Sequence, residues 1–414
     1  MTGATDPGAP MTADGSGTAR LPALSPMTAA MGRAGAWALM LHGSVHLRYT
    51  AHDAFGDGSR GASTFDAPNW FMGMAQRGVG TDGRLTLRAM LSLDPLTEGG
   101  NGYPLLFQTG ETHDGERLVD RQHPHDLAGE LSATFAQRVA PGAAVFGYAA
   151  YPGEPALGPA AFMHRPSSRH NPDAPLGHHW QDATHIVWGV ATAGATVRGF
   201  TVEGSLFTGR EPDEDRYAPD APRFDSYSAR LTWTPLPSLA FQTSIGRLRE
   251  PEALEPGVDQ TRTTASLLSA RRIGRTGDLA AAVVWGMNRP HHAHDGAGEA
   301  HGTTHSVLAE ADLQFGVHAV YARAEWSQKA PGELALDEAT YGDEAFGVGA
   351  LTLGAARDVL ATRGLLATLG AQATLYVVPE RLRPLYGAQP VALQVYLRLT
   401  PARMLHGAHA GHTM

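Results

Sequence analysis

The chain of 414 residues contains no cysteine and a single lysine, Lys329. The first absence excludes disulfide scaffolds, thiolate zinc sites and cysteine nucleophiles. The second leaves almost all positive charge on arginine, which reflects codon usage before chemistry. No run approaches 18 consecutive apolar residues, so no transmembrane helix is expected. Helix-period stretches are almost absent, apart from a short turn expected around Pro159–Met163. Basic residues number 32 against 41 acidic ones, a formal charge of −9, which argues against a nucleic-acid binder. There is no phosphate loop, dinucleotide fingerprint or GxSxG nucleophile motif.

What is present is alternation. Leu85, Leu87, Ala89, Leu91 and Leu93 alternate with Arg84, Thr86, Arg88, Met90 and Ser92. Val391, Leu393, Val395, Leu397 and Leu399 alternate with Ala392, Gln394, Tyr396, Arg398 and Thr400. Side chains on a strand point to opposite faces in turn, so each run is a strand with one apolar and one polar side. About sixteen such runs of 9–14 residues can be counted between 36 and 400, the sixth over 184–196. The gaps between them alternate long and short, eight long and seven short. Long loops at one end and short turns at the other are the plan of a transmembrane antiparallel β-barrel. The division expected is a flexible periplasmic segment over 1–34, the barrel over 35–400 and a His/Met-rich tail over 401–414. Met1 to Ala30 lacks a basic start followed by an apolar core and does not read as a secretory signal.

The polar strand faces carry Arg48, Arg88, Glu130, Glu203, Arg230, Glu310, Asp312, Arg323, Glu325 and Arg398. A dry sandwich core would not hold ten charges, whereas a wet lumen does, so these residues are expected to line a pore. The plan over 36–400 resembles the porin-like outer-membrane barrels of Gram-negative bacteria. That resemblance implies a third long loop, here Tyr151–Ala183, that folds into the lumen and narrows it. Two segments, QTGETHDGERLVDRQHPHD (Gln108–Asp126) and GPAAFMHRPSSRHNPDAPLGHHWQDATHI (Gly158–Ile186), resemble an uncharacterised His-rich family of bacterial barrel proteins loosely associated with heavy-metal resistance. The two resemblances imply a bacterial outer-membrane location, with lipid around the barrel and small solutes or ions as partners.

Histidine occurs 20 times and is placed unevenly. His123, His125 and Asp126 lead into the fourth strand, and His178, His179 and Asp182 into the sixth. Two strand steps of about 4.8 Å bring those mouths to roughly 10 Å. Imidazole with carboxylate and no thiolate suits Zn²⁺, Cu²⁺ or Ni²⁺. A hydrogen-bonded plug that only shapes the loops is the competing reading, and a hydrolytic site a more distant one. A second cluster, His291, His292 and His294, sits in the sixth long loop, where a solvated loop is the simpler account. In the tail His406, His409 and His412 recur every third residue between Met404 and Met414, a pattern suited to copper. On the inner wall Met40, His42 and His46 lie near Met72 and Met74, for which packing is the simpler account. Ser44, Ser132 and Ser226 fall in the polar phase, away from lipid, so no enzyme is expected. The function expected is a pore for small solutes or ions, linked to copper or another heavy metal such as zinc. The alternative is a barrel-embedded metal-binding protein or an outer-membrane hydrolase without transport. Oligomeric state is left open.

Overall fold

The computed structural model describes residues 4–52, 58–292 and 302–401. Its main sheet is antiparallel and closes on itself: Val391–Pro401 pairs with Leu365–Val377 on one side and with Trp37–Ala51 on the other. Eighteen strands make sixteen staves. Ser63–Asp66 and Asn69–Val79 lie end to end along one edge of Trp37–Ala51. Ala30–Ala34 and Val391–Pro401 lie end to end along its other edge. No described helix is long and apolar enough to cross a membrane; the crossing elements are strands.

Closure follows from the alternation. One phase of each strand is exposed and apolar, including Leu41, Leu91, Leu131, Val202, Ile245, Leu353 and Val395. In water this belt would be a very large exposed apolar surface. Around a closed barrel it faces hydrocarbon, and closure leaves no unpaired edge for lipid to meet. Phe200, Trp233 and Phe241 stack in series near the short-turn end, with ring centroids 5.4 Å apart at each step, where an interfacial aromatic girdle is expected. The architecture is that of a bacterial outer-membrane barrel.

Three segments fill the interior. The third long loop enters the lumen as expected and crosses it. Arg165 bonds Glu310 at 2.8 Å, Arg169 bonds Asp312 at 2.8 Å, and Arg48 bonds Asp173 at 2.7 Å. The second long loop is not irregular: Tyr103–His113 and Glu116–Gln122 form a hairpin that turns inward. Its first strand stacks Phe107 on Tyr386 and brings Thr109 to 3.0 Å from Lys329. The third insert is the N-terminal segment, whose described part, from residue 4, is folded rather than a flexible lead-in. Arg230 reaches Thr18 at 2.8 Å, and Ser16 accepts the Ala161 N–H at 2.8 Å. Small residues let it pass close to the third loop: a Cβ on Gly15 would sit 2.8 Å from that of Ala160.

The ten strand charges face inward, and seven of them clamp these inserts, while Glu130, Glu203 and Arg398 bond to other residues of the wall. Nine are buried and Glu325 is half-buried. Glu310 alone binds Arg165, Ser167 and Arg323. Ionic side chains that would be costly in a dry core are paired across the lumen with partners on the loops. The sixth strand begins at Val190, later than the sequence suggests. Residues 184–189 continue the inner loop, tied by mutual Gly153–Val187 backbone bonds, and this leaves His185 inside. The turn expected near Pro159–Met163 forms as a single 3₁₀ turn at Phe162–His164.

Candidate metal site inside the barrel

Five imidazoles converge where the second and third loops meet. His123 and His125 flank Pro124, which holds the backbone extended and sends both rings the same way. His178 and His179 open a one-turn helix, His178–Gln181, and His185 closes the next turn. The rings of His123, His178 and His179 lie 5.3–5.9 Å apart by centroid. One ligating nitrogen from each of these three falls within 4.8 Å of the others. His185 is 5.1 Å from His178 and 5.2 Å from His125.

Each ring is oriented through Nδ1. His178 Nδ1 donates to Asp182 at 2.7 Å, His179 Nδ1 to Glu211 at 3.1 Å, and His125 Nδ1 to Asp94 at 2.6 Å. His185 Nδ1 donates to the Asp182 carbonyl at 2.9 Å, and His123 Nδ1 faces Glu111 at 3.1 Å. An ionised carboxylate can only accept, so the proton sits on Nδ1 and the lone pair on Nε2. The Nε2 atoms of all five are buried without a partner among the described residues. Buried polar atoms are rarely left so. Clustered imidazoles held through Nδ1, with Nε2 left free, are the usual construction of a metal site.

The electrostatics keep most of these rings neutral. Burial, with His179 and Arg216 nearby, holds His123 well below its ordinary value. Burial lowers His178 to about 4 although Asp182 pulls the other way. Burial also lowers His179, but Glu211 outweighs it and leaves the ring above 6.5. Burial would raise Asp182, yet Arg165 at 2.6 Å and His178 hold it below the usual carboxylate range.

Of the residues expected from sequence, His123, His125, His178 and His179 meet. Asp182 is beside them, bonded to His178 and paired with Arg165. Asp126 is turned away: Arg216 pairs with it at 3.2 Å and also with Glu111. His406, His409 and His412 lie outside the described residues. Sequence reading missed Glu111, Glu211 and Asp94 as orienting groups, since each lies 12 or more residues from its histidine. Next to the site, at the outer mouth, a small cavity of about 70 Å³ is lined by His179 and by Glu111, Glu252, Glu255 and Glu333. Ser44, Ser132 and Ser226 are all buried in the lumen phase.

No protein-family model matches the chain, and no curated protein sequence does. Solved structures do. The Salmonella typhi OmpF complex with daunomycin aligns over 89% of this chain and 100% of its own, with TM-score 0.53 and 10% identity. An anion-selective porin from Comamonas acidovorans aligns over 88% of this chain and 99% of its own, with TM-score 0.53 and 11% identity. The chain therefore has the fold of an outer-membrane porin.

Proposed function

We propose that this protein is a plugged outer-membrane barrel that binds a borderline divalent metal ion, Cu²⁺ or Zn²⁺, through His123, His178 and His179. The observation that carries this reading is the set of three buried Nε2 atoms, each unpartnered, on rings held through Nδ1. Three imidazoles leave a fourth position for water or an exchanging ligand, as suits an ion that must also leave. The glutamates at the outer mouth would raise the local cation concentration. The resemblance of the Gln108–Asp126 and Gly158–Ile186 segments to a His-rich family associated with heavy-metal resistance agrees with this. The tail histidines, His406, His409 and His412 with Met404, suit a copper-binding role on the other side of the membrane. Passage of small solutes is the second reading, and the porin fold favours it; the filled lumen then requires an insert to move. Calorimetric titration of Cu²⁺ and Zn²⁺ into the metal-free protein tests the proposal, beside a variant with all three histidines changed to alanine. Binding with Kd well below about 100 μM, roughly −5.5 kcal/mol, that the variant loses is the expected result. Binding no tighter than that, or unchanged in the variant, would leave the porin reading alone.

A further inference from the structure

Eight of the chain's twelve methionines meet in one place in the barrel, in the half nearer the short turns. Register creates the patch. Met40 pairs with Met74 and His42 with Met72 across one strand boundary, and Met72 pairs with Met90 across the next. Directly paired side chains have Cβ atoms about 4.5–5.5 Å apart, and positions two apart on a strand share a face. Five sulfur- or nitrogen-bearing side chains therefore occupy adjoining inward positions. Met31, on the short N-terminal strand Ala30–Ala34, continues the Met40 row. Met11 and Met27 from the N-terminal segment and Met163 from the third loop pack on the same patch.

The ordinary use of methionine is to fill irregular gaps in a core. Its distribution here argues against that use. The two largest other apolar clusters are built from Leu, Val, Phe, Tyr and Ala without any methionine. The methionine cluster has no Leu, Ile, Val or Phe; its other members are Ala29 and Trp70. Leucine is available on the same strands, but on the outer face, at Leu39, Leu41, Leu87 and Leu91. A filler would mix with leucine, whereas ligands must be segregated. The imidazole in the patch also points to a ligand: His42 is 8% exposed, and its Nε2 is buried with no partner among the described residues. The charge beside the patch is compensated. Arg88, paired with Met74, donates to the carbonyls of Gly15 and Gly17 and lies 3.7 Å from Asp14 and 3.9 Å from Glu130.

We propose that Met40, Met72, Met74 and Met90, with His42, form a second metal site, specific for a soft monovalent d¹⁰ cation: Cu(I), or Ag(I) as its redox-inert equivalent. Thioethers select such ions over Zn²⁺ and harder cations and bind them without losing a proton. The site differs in ligand set from the three-histidine site and stands if that one fails. His164 lies between the two, 5.7 Å from the His42 ring and within electrostatic reach of His125 and His185.

The test is nuclear magnetic resonance of the full chain in micelles with ¹³C-methyl methionine, titrated with Ag(I) alone. Single Met→Leu variants assign the resonances. Leucine is close to methionine in volume and such swaps usually cost under about 1.5 kcal/mol, so the variants should fold. The methyls of Met40, Met72, Met74 and Met90 should shift by one equivalent of Ag(I), and should do so equally in the H123A/H178A/H179A protein. Calorimetry should show at least about a tenfold weaker Kd in the M40L/M72L/M74L/M90L protein. Shifts confined to Met404 and Met414, shifts that vanish in the triple-histidine variant, or an unchanged Kd in the quadruple-leucine protein would each overturn the proposal.

Discussion

Asp182 accepts a hydrogen bond from His178 Nδ1 at 2.7 Å, four residues earlier on the same helical turn. The helix spacing puts the two side chains on one face, and Arg165 on the other side of the carboxylate keeps it ionised. The imidazole is thereby fixed in the tautomer that frees Nε2. Replacing an outer-shell carboxylate of this kind typically costs about 10–100-fold in metal affinity. Asp182→Asn should lose affinity by that factor while keeping one ion per chain, as read by calorimetry. An unchanged affinity would show that His178 is not a ligand.

Metal binding should weaken with acid in two stages. A ring whose value is raised takes up its proton first as pH falls, so His179 competes with the ion at a higher pH than an ordinary imidazole would. His178, lowered to about 4, competes only in strong acid, and His123 is held low as well. The logarithm of the affinity should therefore fall by about one per pH unit while His179 alone takes up its proton, and steepen only near pH 4. A fall three times as steep starting at pH 6.5 would mean that the three rings titrate as if exposed.

The backbone of Gly110 lies against the His179 ring. It has φ +114°, and a Cβ there would stand 2.2 Å from the His179 ring. Gly110→Ala should displace His179 and lower Cu²⁺ affinity without removing any ligand. Affinity equal to wild type would place the ion away from His179.

Glu310 holds the third loop to the wall through Arg165 at 2.8 Å and Ser167 at 2.9 Å, and pairs with Arg323 on the neighbouring strand at 2.9 Å. Removing one partner of a buried ion pair costs roughly 3–5 kcal/mol; here Arg323 loses its carboxylate, while Arg165 keeps Asp182. Glu310→Ala should make the third loop sensitive to protease while the barrel resists. Conductance in planar bilayers should be low for the intact chain and rise on deleting residues 155–178. No rise on deletion would show that the other inserts seal the lumen without this loop.

The strand phase was legible in single residues. Leu85 to Leu93 alternate because their neighbours on one side of the chain meet lipid and those on the other meet the lumen, and that demand is local. The sorting of gaps by length was equally legible, and together they specify a closed barrel of sixteen staves. The start of the sixth strand was misread because Ile186, Val187 and Trp188, all strand-favouring residues, lead into it; only the packing of the inner loop shows that His185 belongs to that loop. The convergence of His123, His178 and His179 was visible as a crowding of histidine near two mouths. Its orienting groups were not, since Glu211 reaches His179 from the fourth loop, 32 residues on.

Sequence alone determined that the chain forms a barrel, which face of each strand is wet, and that imidazole and thioether are concentrated within it. Periodicity and residue type are written locally, and a strand that must satisfy lipid on one side has few ways to do so. Only the tertiary structure decided that the lumen is filled. The ten inward charges read the same whether they meet water or the carboxylates and guanidiniums of inserted loops. The choice depends on long-range pairs such as Arg230 with Thr18 and Arg48 with Asp173, 212 and 125 residues apart. Those pairs form because desolvated charges in a closed barrel must find partners, wherever in the chain the partners lie.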